Sequence, residues 1–367
     1  MSQPLDSVQI TEGSTRLFIP REHSSKGPGK RIGRVFFNGQ MAFNRDITLA
    51  FFNAIDMKNK SALDGMAATG ARGLRVAHEC DGPPNVVLND RDSEAFRYIQ
   101  ANIELNMPIS CEAKNEDLRA LLTHECYDFI DIDPFGTPVP FISASVQGLK
   151  RKGVLAITAT DTAPLAGTYA KKCSRRYMAR PLRSGFGHET GLRILLGYLA
   201  REAAQFDRGV VPLLCFYADH YFRLYVRMPE NAAAADQSLT NLGYLYFDQE
   251  TGRRWVSKDL EKEAYGPIWI GPTRDEELLM KLKVPSTAQQ PDRCAKYIDL
   301  WKAEVDLPFF YENNEISSLL KLSPPNLDAV ITWLSRHGKA SKTHFSPTGF
   351  KSDLPYEDIL RLYPDIN

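Results

Sequence analysis

The segment "DIDPFGTPVPF", Asp131 to Phe141, closes an apolar run with a carboxylate followed at once by proline, an aromatic ring and glycine. Tyr127, Asp128, Phe129, Ile130, Asp131 and Ile132 read as a strand. Asp133 is therefore expected at its carboxyl end, the edge at which open α/β sheets bind ligands. Pro134 removes a backbone donor and Gly136 admits unusual dihedrals, so the chain should leave the sheet sharply and hold Asp133 and Phe135 above its edge. A carboxylate beside an exposed ring suits a flat, polar substrate. The competing reading is a tight strand-to-helix turn in which Asp133 merely caps the next helix.

A second set of candidates lies upstream. "LDGMAATGARGLR" follows an earlier strand and places Gly70 and Gly73 near the start of a helix. It is not a dinucleotide fingerprint, because Ala67 and Ala68 stand where a pyrophosphate needs glycine; a cofactor without phosphates tolerates them. The next strand ends in Asp90, placed to accept hydrogen bonds from ribose hydroxyls. The strand after that leads into Glu116, Asp117 and Leu118, where an acid could accept from an adenine amino group and a backbone amide could donate to a ring nitrogen. Acids at successive strand ends make a nucleoside site, although Asp117 reads equally well as a helix N-cap.

The elements that must position these residues alternate. From residue 61, "SALDGMA", "NVVLND", a short run near Cys111, "YDFIDID" and "GVLAITAT" read as strands, with helical segments between them. Strands alternating with helices give a parallel sheet covered on both faces. "VVPLLCFYADHYFRLYVRM" then supplies two strand-like runs joined near Asp219, too close for a helical crossover, so the sheet should end in an antiparallel hairpin. This is an α/β, Rossmann-like arrangement shared with class I S-adenosylmethionine-dependent methyltransferases. In the last run Tyr221, Arg223, Tyr225 and Arg227 occupy one face, which could touch RNA or simply be the polar face of an edge strand.

With 43% hydrophobic and 25% charged residues in 367, the composition is globular, and no apolar run approaches the roughly 20 residues of a membrane span. The N-terminus lacks a charged start followed by an apolar core, so a cytoplasmic location is expected. Six cysteines without any C-x-x-C pair predict neither a zinc knuckle nor a disulfide framework, and no metal is expected. Net charge is zero, but basic residues cluster. Lys26, Lys30, Arg31, Arg34 and Arg45 fill one acid-free window, and Lys171, Lys172, Arg175, Arg176, Arg180 and Arg183 another. These could form a nucleic-acid face, or be solvated loops balanced by the acidic stretch from Asp248 to Glu263. His188 and His220 have no triad or metal-ligand spacing around them and read as structural or RNA-facing.

Past "GPIWIGPTRDEE" the character becomes that of a smaller helical region. Asn314 is a candidate cap for "EISSLLK", and Ser323 with Pro324 for the helix bearing Leu327, Val330, Ile331 and Leu334; "KASKTHFSPTGFK" follows as extended chain. This resembles a winged helix. The expected division is an α/β domain over 1–274, with a basic N-terminal extension, and a C-terminal α+β domain over 275–367; by the family resemblance that follows, the first is the methyltransferase domain and the second the tRNA-contacting one.

"GPGKR", "FNGQMAFNRD", "LDGMAATGARGLR", "VVLND", "DIDPFGTPVPF", "TATDTAPLAGTYAKKCSRRY" and "HETGLRILLGYLAREAA" together resemble the tRNA guanine N2-dimethyltransferase family of archaea and eukaryotes, which acts on the guanine at tRNA position 26. "LGYLYFD", "GPIWIGP" and "HFSPTGFK" extend the likeness through the C-terminal region. Some members carry zinc-binding cysteines between the first two of these; "DQETGRRWVSKDLEKEAY" has none and resembles the cysteine-free archaeal form.

The resemblance implies a cofactor, S-adenosyl-L-methionine, and a partner, tRNA. It places Arg45, Arg72, Asp90, Asp117 and Leu118 among cofactor-binding positions, with Asp64 and Gly70 completing the first loop. The two arginines would hold the cofactor's carboxylate by charge-assisted hydrogen bonds. "DPFG" resembles the D/N-P-P-Y/F motif of enzymes that methylate exocyclic amino groups: Asp133 and the Pro134 carbonyl would accept hydrogen bonds from the amino group, Phe135 would stack on the base, and Phe36 would be a second ring or packed core. The base must be extruded from the tRNA fold, at a cost of a few kcal/mol that stacking and phosphate contacts offset. Lys26, Lys30, Arg31, Lys171, Lys172, Arg175, Arg176 and Arg180 are the candidates for those contacts. The rival readings are a non-catalytic tRNA-binding or tRNA-folding protein on the same fold, an amino-methyltransferase acting on another substrate, and a nicotinamide oxidoreductase.

Overall fold

A computed structural model describes residues 4–24 and 35–366. An antiparallel hairpin, β1 (Ser7–Glu12) and β2 (Thr15–Pro20), precedes helix α1 (Ala42–Ala54). The alternating series follows: β3 (Ser61–Asp64), α2 (Ala71–Glu79), β4 (Asn85–Asn89), α3 (Ser93–Leu105), β5 (Cys111–Lys114), α4 (Leu118–Leu121), β6 (Tyr127–Ile132), α5 (Val139–Gln147) and β7 (Leu149–Ala159). Leu63, Leu88, Ile130, Ile132, Leu155 and Ile157 are all essentially inaccessible, as expected of parallel strands covered by helices on both faces.

After α6 (Thr162–Leu165), α7 (Ala170–Tyr177) and α8 (Gly187–Ala204) come β8 (Val211–Ala218) and β9 (Tyr221–Arg227). The seven-stranded sheet has the order β5-β4-β3-β6-β7-β9-β8, with β5 through β7 parallel. β8 and β9 are neighbours joined only by Asp219 and His220, which requires them to be antiparallel, as the spacing predicted. The order reverses between β3 and β6, where Asp64 pairs in register with Asp131, and this reversal marks the ligand-binding crevice of such sheets.

One expectation for β9 is corrected. It is an interior strand, and Tyr221, Arg223 and Tyr225 are buried, so they present no face to RNA. A polar alternation signals an exposed face only when that face lacks a covering layer, which the sequence of one strand cannot reveal.

The chain divides into two compact units: Met1–Thr158 with Tyr225–Pro229 and Glu276–Ile298, and Ala159–Leu224 with Glu230–Asp275 and Asp299–Asn367. This is not a sequential cut near 274. Glu276–Ile298 belongs to the first unit, where Asp46 accepts a hydrogen bond from the Gln290 N–H (2.9 Å) and Glu79 one from the Thr287 hydroxyl (2.5 Å).

The second unit contains α9 (Ala232–Leu239) and a three-stranded sheet of β10 (Leu242–Phe247), β11 (Arg254–Ser257) and β12 (Tyr265–Trp269), in the order β11-β10-β12. In the chain there follow α10 (Glu276–Lys281) and α11 (Pro291–Ala303), then β13 (Tyr311–Glu312), α12 (Asn313–Leu320), α13 (Leu327–Leu334), β14 (Ala340–Thr343), β15 (Ser346–Ser352) and α14 (Tyr356–Leu362). Strands β13-β15-β14 carry helices whose Ile316, Val330, Leu334 and Ile359 pack with Phe350, the winged-helix-like arrangement expected. The caps differ from those read in sequence. Glu312 precedes α12, and Asn326 caps α13 by accepting from the Asp328 N–H at 2.8 Å, three residues beyond Ser323, because Pro324 and Pro325 delay the first helical turn. Buried Glu304 meets His344, Arg274 and Lys351; burial opposes its ionisation, but these three cations and donors hold it well below the ordinary carboxylate range.

Candidate active site

The loop from β3 to α2 turns through Ala68 at φ +51° and Gly70 at φ +81°. Asp64, at the end of β3, accepts from the Gly73 N–H at 3.1 Å and thereby docks the first turn of α2 on the strand. Burial first, then the Asp131 carboxylate opposite, pushes the Asp64 carboxyl above its usual range. Asp90 accepts from the Ala68 N–H and the Asp92 N–H, both at 2.9 Å, and so braces the same loop; burial raises its affinity for a proton and these donors oppose that.

Asp117 is the N-cap of α4, accepting from the Arg119 N–H at 2.9 Å, and its carboxylate also pairs with the Arg119 guanidinium at 2.8 Å. The Arg119 side chain is the largest influence holding it down to about 2. The capping reading of Asp117 is thus realised, while Leu118, buried beside it, sits at the first helical position, whose N–H has no intrahelical acceptor. Sequence reasoning missed Asn89. Fully buried, it donates to the Gly65 carbonyl (3.2 Å) and the Glu116 carbonyl (3.1 Å) and accepts from the Glu116 N–H (3.1 Å), so it stitches two of the strand-end loops together. An amide at the end of the apolar run "VVL" was the available signal.

These residues suit a nucleoside that carries no phosphate. Carboxylates stand at the ends of β3 and β4, a backbone amide without an intrahelical acceptor opens α4, and the first loop is braced by a carboxylate and lined by alanines where a phosphate cradle would need glycines.

Asp133 lies one residue beyond β6 and is partly exposed. It does not cap a helix: α5 begins at Val139 with Pro138 at its N-cap position, so the capping alternative is removed. Gly136 takes φ +88° where a β-carbon would meet nothing within 4 Å, and Phe135 projects 59% exposed. Phe36 meets Phe135 edge to face, with centroids 4.7 Å apart at 82°. The structure therefore brings Asp133, Pro134, Phe135 and Phe36 together, and the Pro134 carbonyl accepts no hydrogen bond among the described residues.

The two arginines expected at the cofactor's carboxylate each meet a carboxylate of the chain. The Arg72 guanidinium donates to Asp133 through Nη2 and to Asn44 and Thr48 through Nη1, with Asp131 at 3.7 Å. Buried Arg45 meets Glu12 bidentately, both bonds at 2.6 Å, and reaches the Asn38 carbonyl through Nη2 at 3.2 Å; Nη1 has no partner among the described residues. Arg45 is not part of a basic surface loop.

On α7, Lys171 and Arg175 are exposed and Lys172 is half-buried, none in an ion pair among the described residues. Arg176 instead pairs with Asp161 at 2.9 Å, and Arg180 lies over the Tyr265 ring at 4.5 Å. Lys26, Lys30, Arg31 and Arg34 lie outside the described residues. His188 stacks on Tyr217 (4.0 Å, 11°), a structural placement. Among the described residues no cluster of His, Cys, Asp or Glu is arranged to hold a metal, and no helix is long and apolar enough to cross a membrane.

Comparison with known proteins places this geometry. Residues 20–363 match the family described as N2,N2-dimethylguanosine tRNA methyltransferase. The tRNA (guanine(26)-N(2))-dimethyltransferase of Pyrococcus abyssi is 36% identical over 377 residues, covering 96% of this chain and 97% of that protein. The protein of the same name from Thermococcus kodakarensis is 37% identical, covering 99% and 100%. A solved complex of Trm1 from Pyrococcus horikoshii with S-adenosyl-L-methionine superposes with a TM-score of 0.88 at 34% identity, covering 97% of this chain and 99% of that one.

Proposed function

Since the chain belongs to the N2,N2-dimethylguanosine tRNA methyltransferase family, we propose that it is an S-adenosylmethionine-dependent enzyme that methylates the exocyclic N2 of guanine 26 in tRNA, with Asp133 and the Pro134 carbonyl orienting the amino group. The observation that carries the site assignment is Asp133 itself, fixed by Arg72 at the switch-point end of β6 beside the Phe36–Phe135 pair.

Asp64, Asp90, the loop ending at Gly70, Asp117 and the Leu118 amide form the nucleoside end of the cofactor site, and Arg45, whose Nη1 has no partner among the described residues, serves its carboxylate. Bound there, S-adenosylmethionine supplies an electrophilic methyl group on a sulfonium. The chain's own task is the nucleophile. A guanine amino nitrogen is weakly nucleophilic because its lone pair is delocalised into the ring. Two acceptors, the Asp133 oxygen not engaged by Arg72 and the Pro134 carbonyl, would take its N–H groups and turn the lone pair away from the ring. Phe135 and Phe36 would part to admit the base and stack on it, contributing about 1–3 kcal/mol per stacked contact. Each transfer would form one N–C bond as the S–CH3 bond of the sulfonium breaks, leaving the neutral thioether S-adenosylhomocysteine, and would release one amino proton, which Asp133 is placed to accept. After the first transfer one N–H remains, so a single acceptor suffices for the second. Lys171, Lys172, Arg175, Arg176 and Arg180, together with the winged-helix-like region, would hold the tRNA backbone.

The test is transfer of labelled methyl groups to an unmodified tRNA transcript and to one with adenine at position 26, followed by nucleoside analysis. N2,N2-dimethylguanosine from the first alone is expected. Asp133→Ala should lower turnover at least about a hundredfold, as expected for loss of orientation, with S-adenosylmethionine affinity retained. Wild-type turnover by this variant would remove Asp133 from the mechanism.

A further inference from the structure

We propose that Thr48 and Tyr225 are positioning residues that aim the Asp133 carboxylate through Arg72, an inference that rests on the role given to Asp133 above. None of the sequence motifs points to either residue. Thr48 lies in the middle of α1, one turn after Asn44, so the two share the helix face turned toward Arg72. Tyr225 lies on β9, a strand distant in sequence, where its ring is stacked on Phe51 with centroids 4.1 Å apart at 19°. Thr48, Tyr225 and Phe51 are all buried.

The hydrogen-bond inventory of one hydroxyl fixes the direction of the chain. Thr48 Oγ1 lies 2.8 Å from the Asn44 carbonyl, which can only accept, so the single Thr48 proton goes there. Its two lone pairs then take the Arg72 Nη1–H at 3.2 Å and the Tyr225 O–H at 2.9 Å, making Tyr225 the donor. The hydroxyl is saturated. Arg72 Nη1 is saturated as well, since its other hydrogen goes to Asn44 Oδ1. With Nη1 held at two points, the plane of the guanidinium is set, and Nη2 delivers that orientation to Asp133 Oδ2.

The consequence is geometric. Asp133 stands in a segment without regular structure beyond β6, where only its side-chain partner can define its rotamer. Binding one oxygen to a planar donor that is itself fixed by a helix and a strand leaves the other oxygen aimed at the substrate's amino group. Tyr225 and Thr48 touch neither substrate nor cofactor in this arrangement; they act through Arg72.

The experiment measures kcat and KM for unmodified tRNA, S-adenosylmethionine affinity by calorimetry and thermal stability for Thr48→Val, Thr48→Ser and Tyr225→Phe, alone and in an Asp133→Ala background. Removing one link that contributes as a single hydrogen bond should lower kcat about three- to tenfold. That loss is expected for Thr48→Val and in smaller degree for Tyr225→Phe, with tRNA KM and cofactor affinity unchanged and Thr48→Ser restored to near wild type. In the Asp133→Ala background Thr48→Val should cost nothing further, because nothing remains to be aimed. Wild-type kcat in Thr48→Val, a Thr48→Ser no better than Thr48→Val, or an undiminished further loss in the Asp133→Ala background would each overturn the relay. Wild-type turnover by Asp133→Ala alone would instead overturn the reading of Asp133 on which the relay depends.

Discussion

Asp64 and Asp131 face each other in register at the ends of β3 and β6, with Arg72 the nearby cation and Asp133 a third carboxylate. Burial and the neighbouring Asp131 make ionised Asp64 costly in the folded protein, so its folded proton affinity is raised above that of the unfolded chain. Between the two values the folded state binds more protons, and stability falls as pH rises through the folded value. From about pH 4 to pH 7 the wild type should therefore lose thermal stability relative to Asp64→Asn, in which that titration is absent. Parallel pH profiles of the two proteins would show the idea wrong. The hydrogen bond that Asp64 accepts from the Gly73 N–H favours the ionised form and so partly offsets the burial. The sequence marked Asp64 as a pocket residue by resemblance; its pairing with Asp131 required knowing which strand lies beside β3.

At the scale of an element, α7 owes its direction to the turn that precedes it. Gly167 takes φ +91°, and a β-carbon there would lie 2.5 Å from the Arg183 backbone nitrogen, a clash that only movement of the main chain could relieve. Gly167→Ala should cost more than about 1 kcal/mol of stability, since both the dihedral and the space oppose the methyl group. Because α7 carries Lys171, Lys172 and Arg175, the variant should also bind tRNA more weakly while keeping its affinity for S-adenosylmethionine. Equal loss of both affinities in equilibrium titrations would argue that the turn supports the whole fold rather than this helix. The alternation of strands and helices, and the closing hairpin, were legible in the chain because period and spacing are local properties. The caps of α12 and α13 were not, because several residues able to cap stood within one turn of each start, and at α13 the two preceding prolines decided between them.

At the scale of the whole molecule, zero net charge conceals an uneven distribution, with 45 basic and 45 acidic residues. The structure reduces the basic set that can meet a polyanion: Arg45 and Arg75 are buried on Glu12, and Arg193 on Glu189. Lys171, Lys172 and Arg175 remain as outward charges on one helix. If they neutralise phosphates, tRNA affinity should fall with salt, and replacing all three by alanine should flatten the slope of log K against log salt by about 0.7 to 0.9 for each phosphate no longer neutralised. Binding measured across a salt series checks this, and an unchanged slope would remove α7 from the interface.

Much about this protein was determined by sequence alone. The strand ending in Asp133, the non-phosphate loop before Gly70, the parallel order of elements and the family likeness are all written in consecutive residues, because each depends on local conformational preference or on a contiguous motif. Tertiary structure decided what those residues touch. It seated Arg72 on Asp133 and Arg45 on Glu12, buried the polar face of β9, and connected Tyr225 to Asp133 through Thr48. A guanidinium reads the same in sequence whichever carboxylate of its own chain it meets, and only the packing of distant elements chooses among them.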